Sequence, residues 1–200
     1  MSRVFYTSDL HLGHRRVAEL RGFDSTSAHD DYLADIWDSA IGQNDHVWVL
    51  GDISLGGAHA EWKALAWLDR RPGVKWLVPG NHDTCHPLHS QAHRRQREFL
   101  IVFQAVQTSA IRKIAGRRVR LSHFPFRDDP HGDHTPEIRY PEHRLPDVGE
   151  YLLHGHTHSA VKTRGRQIHI GLDAHDLTPV PQSWVEDYIT THLEQQGATA

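Results

Sequence analysis

Three apolar runs in the first hundred residues, RVFYTS (3–8), DHVWVLGD (45–52) and VKWLVPGNHD (74–83), are separated by two stretches of helical periodicity. A short run rich in β-branched and aromatic residues reads as a buried strand, and a 3.6-residue apolar period reads as a helix lying on a sheet. In the stretch 27–41, Tyr32 and Leu33, Ile36 and Trp37, and Ala40 and Ile41 hold that period. In the stretch 58–71, Trp62, Leu65, Ala66 and Leu68 form the expected inner side, and Pro72-Gly73 closes it. Strands in this order need helical crossovers, so the pattern specifies an α/β chain with a parallel sheet. A histidine- and arginine-rich segment continues as helix to about residue 100.

The second half changes character. AVQTSAIRKIAGRRVRLSHFPF reads as a hairpin turning at Gly116, and SAVKTRGRQIHIGLD as another turning at Gly165. Between them lies the buried strand EYLLHGHTH. Residues 127–149 are polar and carry Pro130, Pro136, Pro141 and Pro146, so they form a long loop. The tail SWVEDYITTHLEQQ places Trp184, Val185, Tyr188, Ile189 and Leu193 on one helical face. With no internal repeat and no linker, residues 1–200 read as one domain with a loop insertion at about 124–149.

Composition narrows the function. A net charge of -3 and the lack of a basic stripe argue against long nucleic acid as partner, and no apolar run reaches membrane-spanning length. The single Cys85 excludes a disulfide framework and a thiolate-rich zinc site. The opening MSRVFYTSDLHLGH lacks a signal-peptide core, so a cytoplasmic protein is expected. Nineteen histidines are many, but most lie scattered in polar segments and read as surface residues. The sequence sets no oligomeric state.

Position singles out the rest. The expected strands end in Asp9-Leu-His11, Gly51-Asp52, Gly80-Asn81-His82-Asp83, Ser122-His123 and Gly155-His156-Thr-His158. Each fragment alone is an ordinary turn or cap. Five in succession at carboxyl strand ends, the edge where α/β sheets bind ligands, mark a site. Glycines 51, 80 and 155 are expected to let the backbone turn sharply there. Carboxylates, an amide and imidazoles are the donors that two adjacent divalent metals require, with Asp52 as the natural bridge. Cations about 3.5–4 Å apart can share a hydroxide that attacks phosphorus in line.

The ordered set DLH, GD, GNHD, SH and HGHTH, spanning residues 9–158, resembles the calcineurin-like metallophosphoesterase superfamily, in particular its small bacterial and phage-type members. The resemblance implies a single-domain α/β/β/α sandwich of two mixed sheets flanked by helices. It also implies a first metal on Asp9, His11 and His158, a second on Asn81, His123 and His156, and Asp52 bridging them. His82 would contact the phosphate and protonate the leaving oxygen, and Asp83 would orient the His82 ring. His154 belongs within or under its strand, whereas His14 is either a substrate contact or a surface residue. Manganese is the expected metal, with iron, zinc and nickel also suited to these donors.

One departure shapes the substrate expectation. The protein-phosphatase branch follows Gly-Asp with an acid and then a phosphate-gripping arginine, whereas GDISLGGAHAE has Leu55 and Gly56 in those places. Arg127, Arg139 and Arg144 of the long loop are the candidates to supply that charge, their alternative role being to solvate the loop. The resulting expectation is a phosphodiesterase acting on small nucleotides such as 2′,3′- or 3′,5′-cyclic ones. The alternatives are a phosphomonoesterase or nuclease using the same centre, and a metal-binding scaffold without activity. The complete ligand set favours an enzyme.

Overall fold

Alternate side chains of the apolar runs point to opposite faces of a sheet, and both faces are covered. In β1 (Val4–Thr7) and β2 (His46–Val49), Phe5 and Val47 enter one buried cluster while Tyr6 and Trp48 enter another. The computed structural model describes residues 2–129, 133, 135 and 137–198; Pro130 and Pro136 of the long loop lie outside them.

In the first sheet, β1 pairs in parallel with β2, β2 pairs in parallel with β3 (Val74–Leu77), and β9 (Val180–Pro181) adds antiparallel to β1. The second sheet comprises β4 (Ala110–Ile114), β5 (Arg117–Leu121), β6 (Tyr151–His154), β7 (Thr163–Arg164) and β8 (Gln167–His169), ordered β4-β5-β6-β8-β7. Its three central strands are parallel and its outer pairs are the two hairpins, turning at Gly116 and Gly165.

The helices are α1 (Arg15–Leu20), α2 (Thr26–Ala40), α3 (Ala58–Asp69), α4 (Ala92–Phe99) and α5 (Gln182–Ala198). Leu33 and Trp37 of α2, Leu65 and Leu68 of α3 and Phe99 of α4 cover one face of the first sheet. Across its other face, Tyr6 and Trp48 meet Val119, Leu121, Leu153 and Ile168 of the second sheet, and α5 adds Val185 and Ile189. The chain is thus α/β, with two mixed sheets sharing a core and helices flanking them. No helix among the described residues is long and apolar enough to cross a membrane.

Two elements lack a sequence signal: α1, whose six residues are too few to show a period, and the two-residue β9. One side chain is corrected. Trp62 does not face inward; it is 66% exposed, and Trp67 turns in to meet Trp37 edge-on at 6.0 Å. The inward slot at the start of α3 belongs to Glu61. Its carboxylate accepts hydrogen bonds from the Thr84 backbone and hydroxyl and from Arg95, tying α3 to α4. Polar partners thereby decide the helix rotation that apolar periodicity leaves ambiguous.

The turn into β2 is held by Asp45, whose carboxylate accepts from the backbone N–H groups of Arg3 (2.7 Å) and Gly42 (2.9 Å) and from the Arg3 guanidinium. These donors hold its pKa down to about 2 from the usual 3.8. Replacing Asp45 with Ala should cost about 1–2 kcal/mol at neutral pH, measured by urea unfolding. Because the folded pKa is the lower one, that contribution is complete above pH 4, and the gap between wild type and variant should close as pH falls toward 2.

Candidate metal centre

Each of the five motifs lies just beyond the carboxyl end of a strand: Asp9 and His11 after β1, Asp52 after β2, Asn81 and His82 after β3, His123 after β5, and His156 and His158 after β6. Backbone hydrogen bonds sew these loops together. Asp9 N donates to Gly51 O (3.0 Å), His11 N to Asp52 O (3.0 Å), and Gly155 N to His123 O (2.9 Å). The sheets join where Ser8 bridges to Gly171, and the Ser8 hydroxyl donates to Leu50 O at 2.6 Å.

The result is two adjoining clusters. Asp9, His11 and His158 bring one donor atom each within 4.8 Å of one another, and so do Asp52, His123 and His156. Asp52 Oδ2 lies 3.8 Å from His11 Nε2 and 3.5 Å from His123 Nε2, between the clusters, and Asn81 Oδ1 lies 3.2 Å from His123 Nε2. The carboxylates reach this position because two glycines lack side chains. A Cβ on Gly80 would overlap Asp52 Oδ1, and one on Gly155 would stand 2.5 Å from Asp9 Oδ2. Sharp backbone turns fall mostly on the functional residues themselves. Asp9, His11, Asp52, His156 and His158 are five of the nine non-glycine residues with positive φ among the described residues. Left-handed backbone costs about 1 kcal/mol or more per residue and persists only where the surroundings enforce it.

Neighbours fix the imidazoles. His123 Nδ1 donates to Leu50 O at 2.7 Å, which turns Nε2 toward Asp52 and Asn81. His158 Nδ1 meets Asp173 at 2.8 Å; Arg21 clamps that carboxylate through Nε and Nη2 and reaches Asp9 O at 2.8 Å. His156 Nε2 meets Asp133 at 3.1 Å. Carboxylates and carbonyls behind histidines are the usual outer sphere of a metal site.

Electrostatics fit cations. Burial pushes the Asp9 carboxyl up and the His11 imidazole well down. Burial also pushes Asp52 up, but His123 and His11 outweigh it and hold Asp52 ionised, while Asp52 draws His123 above its ordinary range against burial. Two carboxylates sunk this deep require positive charge, and the nitrogen and oxygen donors around them suit a pair of divalent metals.

His82 N donates to Asp52 Oδ1 at 2.9 Å, and its Nδ1–H donates to Leu55 O at 2.8 Å, orienting the ring 5.3 Å from that of His11. Asp83 does not set that ring. Its carboxylate accepts from the backbone N–H groups of Asp52, Ile53 and Gly80, because these loop amides have no strand partner. It therefore shapes the loop that carries Asp52. His14 caps α1 by accepting from Val17 N and packs edge-on against His11 at 5.4 Å. His154 is buried at the end of β6 beside His169.

The loop arginines stay within the loop. Arg144 is fully buried and binds Asp133 at 2.5 Å, Arg139 lies over the Tyr140 ring and bonds its hydroxyl, and Arg127 donates to Pro141 O. A buried guanidinium needs a carboxylate, and Asp133 supplies it. Sequence reading missed Asp173, Arg21 and Asp133. For Asp173 a signal exists: IHIGLD repeats the order of apolar run, glycine and acid seen at the other strand ends. Arg21 and Asp133 sit in polar stretches with no such mark.

Residues 3–171 match the family model of the calcineurin-like phosphoesterase superfamily domain. The chain is 47% identical over 192 residues to the Gene 66 protein of Mycobacterium phage D29, covering 91% of this chain and 94% of that protein. It is 45% identical over 209 residues to the Gene 66 protein of Mycobacterium phage L5, covering 98% and 99%. A crystal structure of a protein of unknown function from Aquifex aeolicus shares the fold at a TM-score of 0.69 and 20% identity, covering 94% of this chain and all of that one. Asp173→Asn should weaken metal affinity about 10- to 100-fold without unfolding the chain, as measured by calorimetric titration with Mn²⁺.

Proposed function

The chain belongs to the calcineurin-like phosphoesterase superfamily, and we propose that this metal-dependent phosphoesterase is a phosphodiesterase acting on small nucleotides, including cyclic ones, with manganese as its working metal. The observation that carries this reading is where the cationic side chains are engaged. Arg144, Arg139 and Arg127 are held by their own loop, and Arg21 is clamped on Asp173. The side chains that pack against the His11 ring are His82 and His14, and burial lowers the His14 pKa. A phosphomonoester is a dianion near neutral pH and calls for such a guanidinium fork; a diester is a monoanion and needs less.

Asp9, His11 and His158 would hold one cation and Asn81, His123 and His156 the other, with Asp52 between them. When bound, such a pair supplies Lewis acidity toward phosphoryl oxygens and lowers the pKa of water. The protein's own residues do the rest. Asp83 and Leu55 fix the loops that present Asp52 and His82. With Nδ1–H held by Leu55 O, His82 presents Nε2 to deliver a proton to the leaving oxygen. The outer-sphere bonds of His123 and His158 keep those rings from turning. The lone, buried Cys85 supports a reducing, cytoplasmic place of action.

With Mn²⁺, bis-p-nitrophenyl phosphate should turn over faster than p-nitrophenyl phosphate, and a panel of cyclic nucleotides then identifies the substrate. Faster monoester turnover would overturn the diesterase assignment. His82→Ala should keep its metal, read by elemental analysis, and lose about 10²- to 10⁴-fold in kcat, whereas Asp52→Asn should lose both metal and activity.

A further inference from the structure

Trp62 is a large aromatic side chain left two-thirds in solvent, and it stands where two hollows meet. On one side is a shallow apolar hollow with Leu65, Ile101 and Val102. On the other is a groove of about 460 Å³ between α2 and α3. His59, Trp62, Lys63, Ala66 and Trp67 recur at helical spacing, so one face of α3 lines that groove with an exposed indole and exposed Lys63, and the capping residue Arg70, also exposed, continues it. The opposite wall includes Thr26 and Asp30 of α2, and Leu12 and Gly13.

Each wall adjoins a loop of the metal centre. Leu12 and Gly13 are the residues between His11 and His14, and Asp30 anchors them by accepting from Gly13 N at 2.9 Å. The other wall, α3, follows directly from the loop that carries Asp52 and holds His82 through Leu55 O. Leu12 and Ser54 bridge the two loops. Through Leu12 and Gly13 the groove thus adjoins the loop that carries His11 and His14.

We propose that this groove receives the nucleoside of the diester substrate, its base stacked on Trp62 and its polar atoms facing Lys63 and Arg70. An indole beside cationic side chains matches a flat, electron-rich heterocycle next to phosphate, and stacking of one base on an aromatic ring is worth about 1–3 kcal/mol. The proposal rests on the phosphodiesterase reading above and adds the part of the substrate that the metal clusters do not contact.

Two measurements test it. In ¹⁵N-labelled protein, the Trp62 indole N–H resonance, assigned by its loss in Trp62→Phe, should shift on titration with AMP and stay in place with ribose 5-phosphate. An unmoved resonance with AMP, or equal movement with both, overturns the proposal. The second measurement compares thymidine 5′-(p-nitrophenyl phosphate) with methyl p-nitrophenyl phosphate, which share a leaving group and differ in the nucleoside. Trp62→Ala should raise KM for the nucleoside ester about tenfold or more beyond any change for the methyl ester. Equal changes for both esters overturn the proposal. If the wild-type enzyme hydrolyses neither ester, the phosphodiesterase reading fails, and the AMP titration alone decides the groove.

Discussion

Two carboxylates, Asp9 and Asp52, are buried close to one another at the edge where the sheets meet, and much of the structure follows from making that tolerable. Ionised groups in a low-dielectric interior need partners on every side. His156 N donates to both oxygens of Asp9, and His82 N donates to Asp52, while imidazoles from both sheets close around them. Gly80 and Gly155 remove the atoms that would otherwise occupy the carboxylates' place. The left-handed backbone at five ligand positions is the same constraint expressed in φ: each loop must reverse at once to aim its side chain back over the strand end.

The same need organises the second sphere. Arg21 neutralises Asp173, which orients His158, and Arg144 neutralises Asp133, which meets His156. These guanidiniums serve the architecture of the ligands, so they are not the ones a phosphate would find. The electrostatic character of the substrate face thus follows from how the metal-binding rings are held. The proposed diester monoanion suits what is left.

Much of the fold could be read from patterning, because buried strands and amphipathic helices leave periods of two and 3.6 in the sequence. The apolar runs, both hairpins and the turns at Gly116 and Gly165 stand where those periods place them. The six-residue α1 spans under two helical turns and β9 only two residues, too short for their periods to appear. Rotation of α3 was illegible for another reason: Glu61 turns inward only because Thr84 and Arg95, distant in sequence, are there to bond it.

By itself, the sequence determined the donor set. Asp, Asn and His at the ends of apolar runs are local facts, and strand ends of parallel units gather at one edge whatever the details of packing. Tertiary structure alone decided the partners of those donors. Asp83 turned out to hold loop amides, Arg144 of the long loop turned inward to a carboxylate, and Asp173 came behind His158. Each outcome is settled by competition for hydrogen-bond partners among groups far apart in the chain, and no local pattern encodes which of them wins.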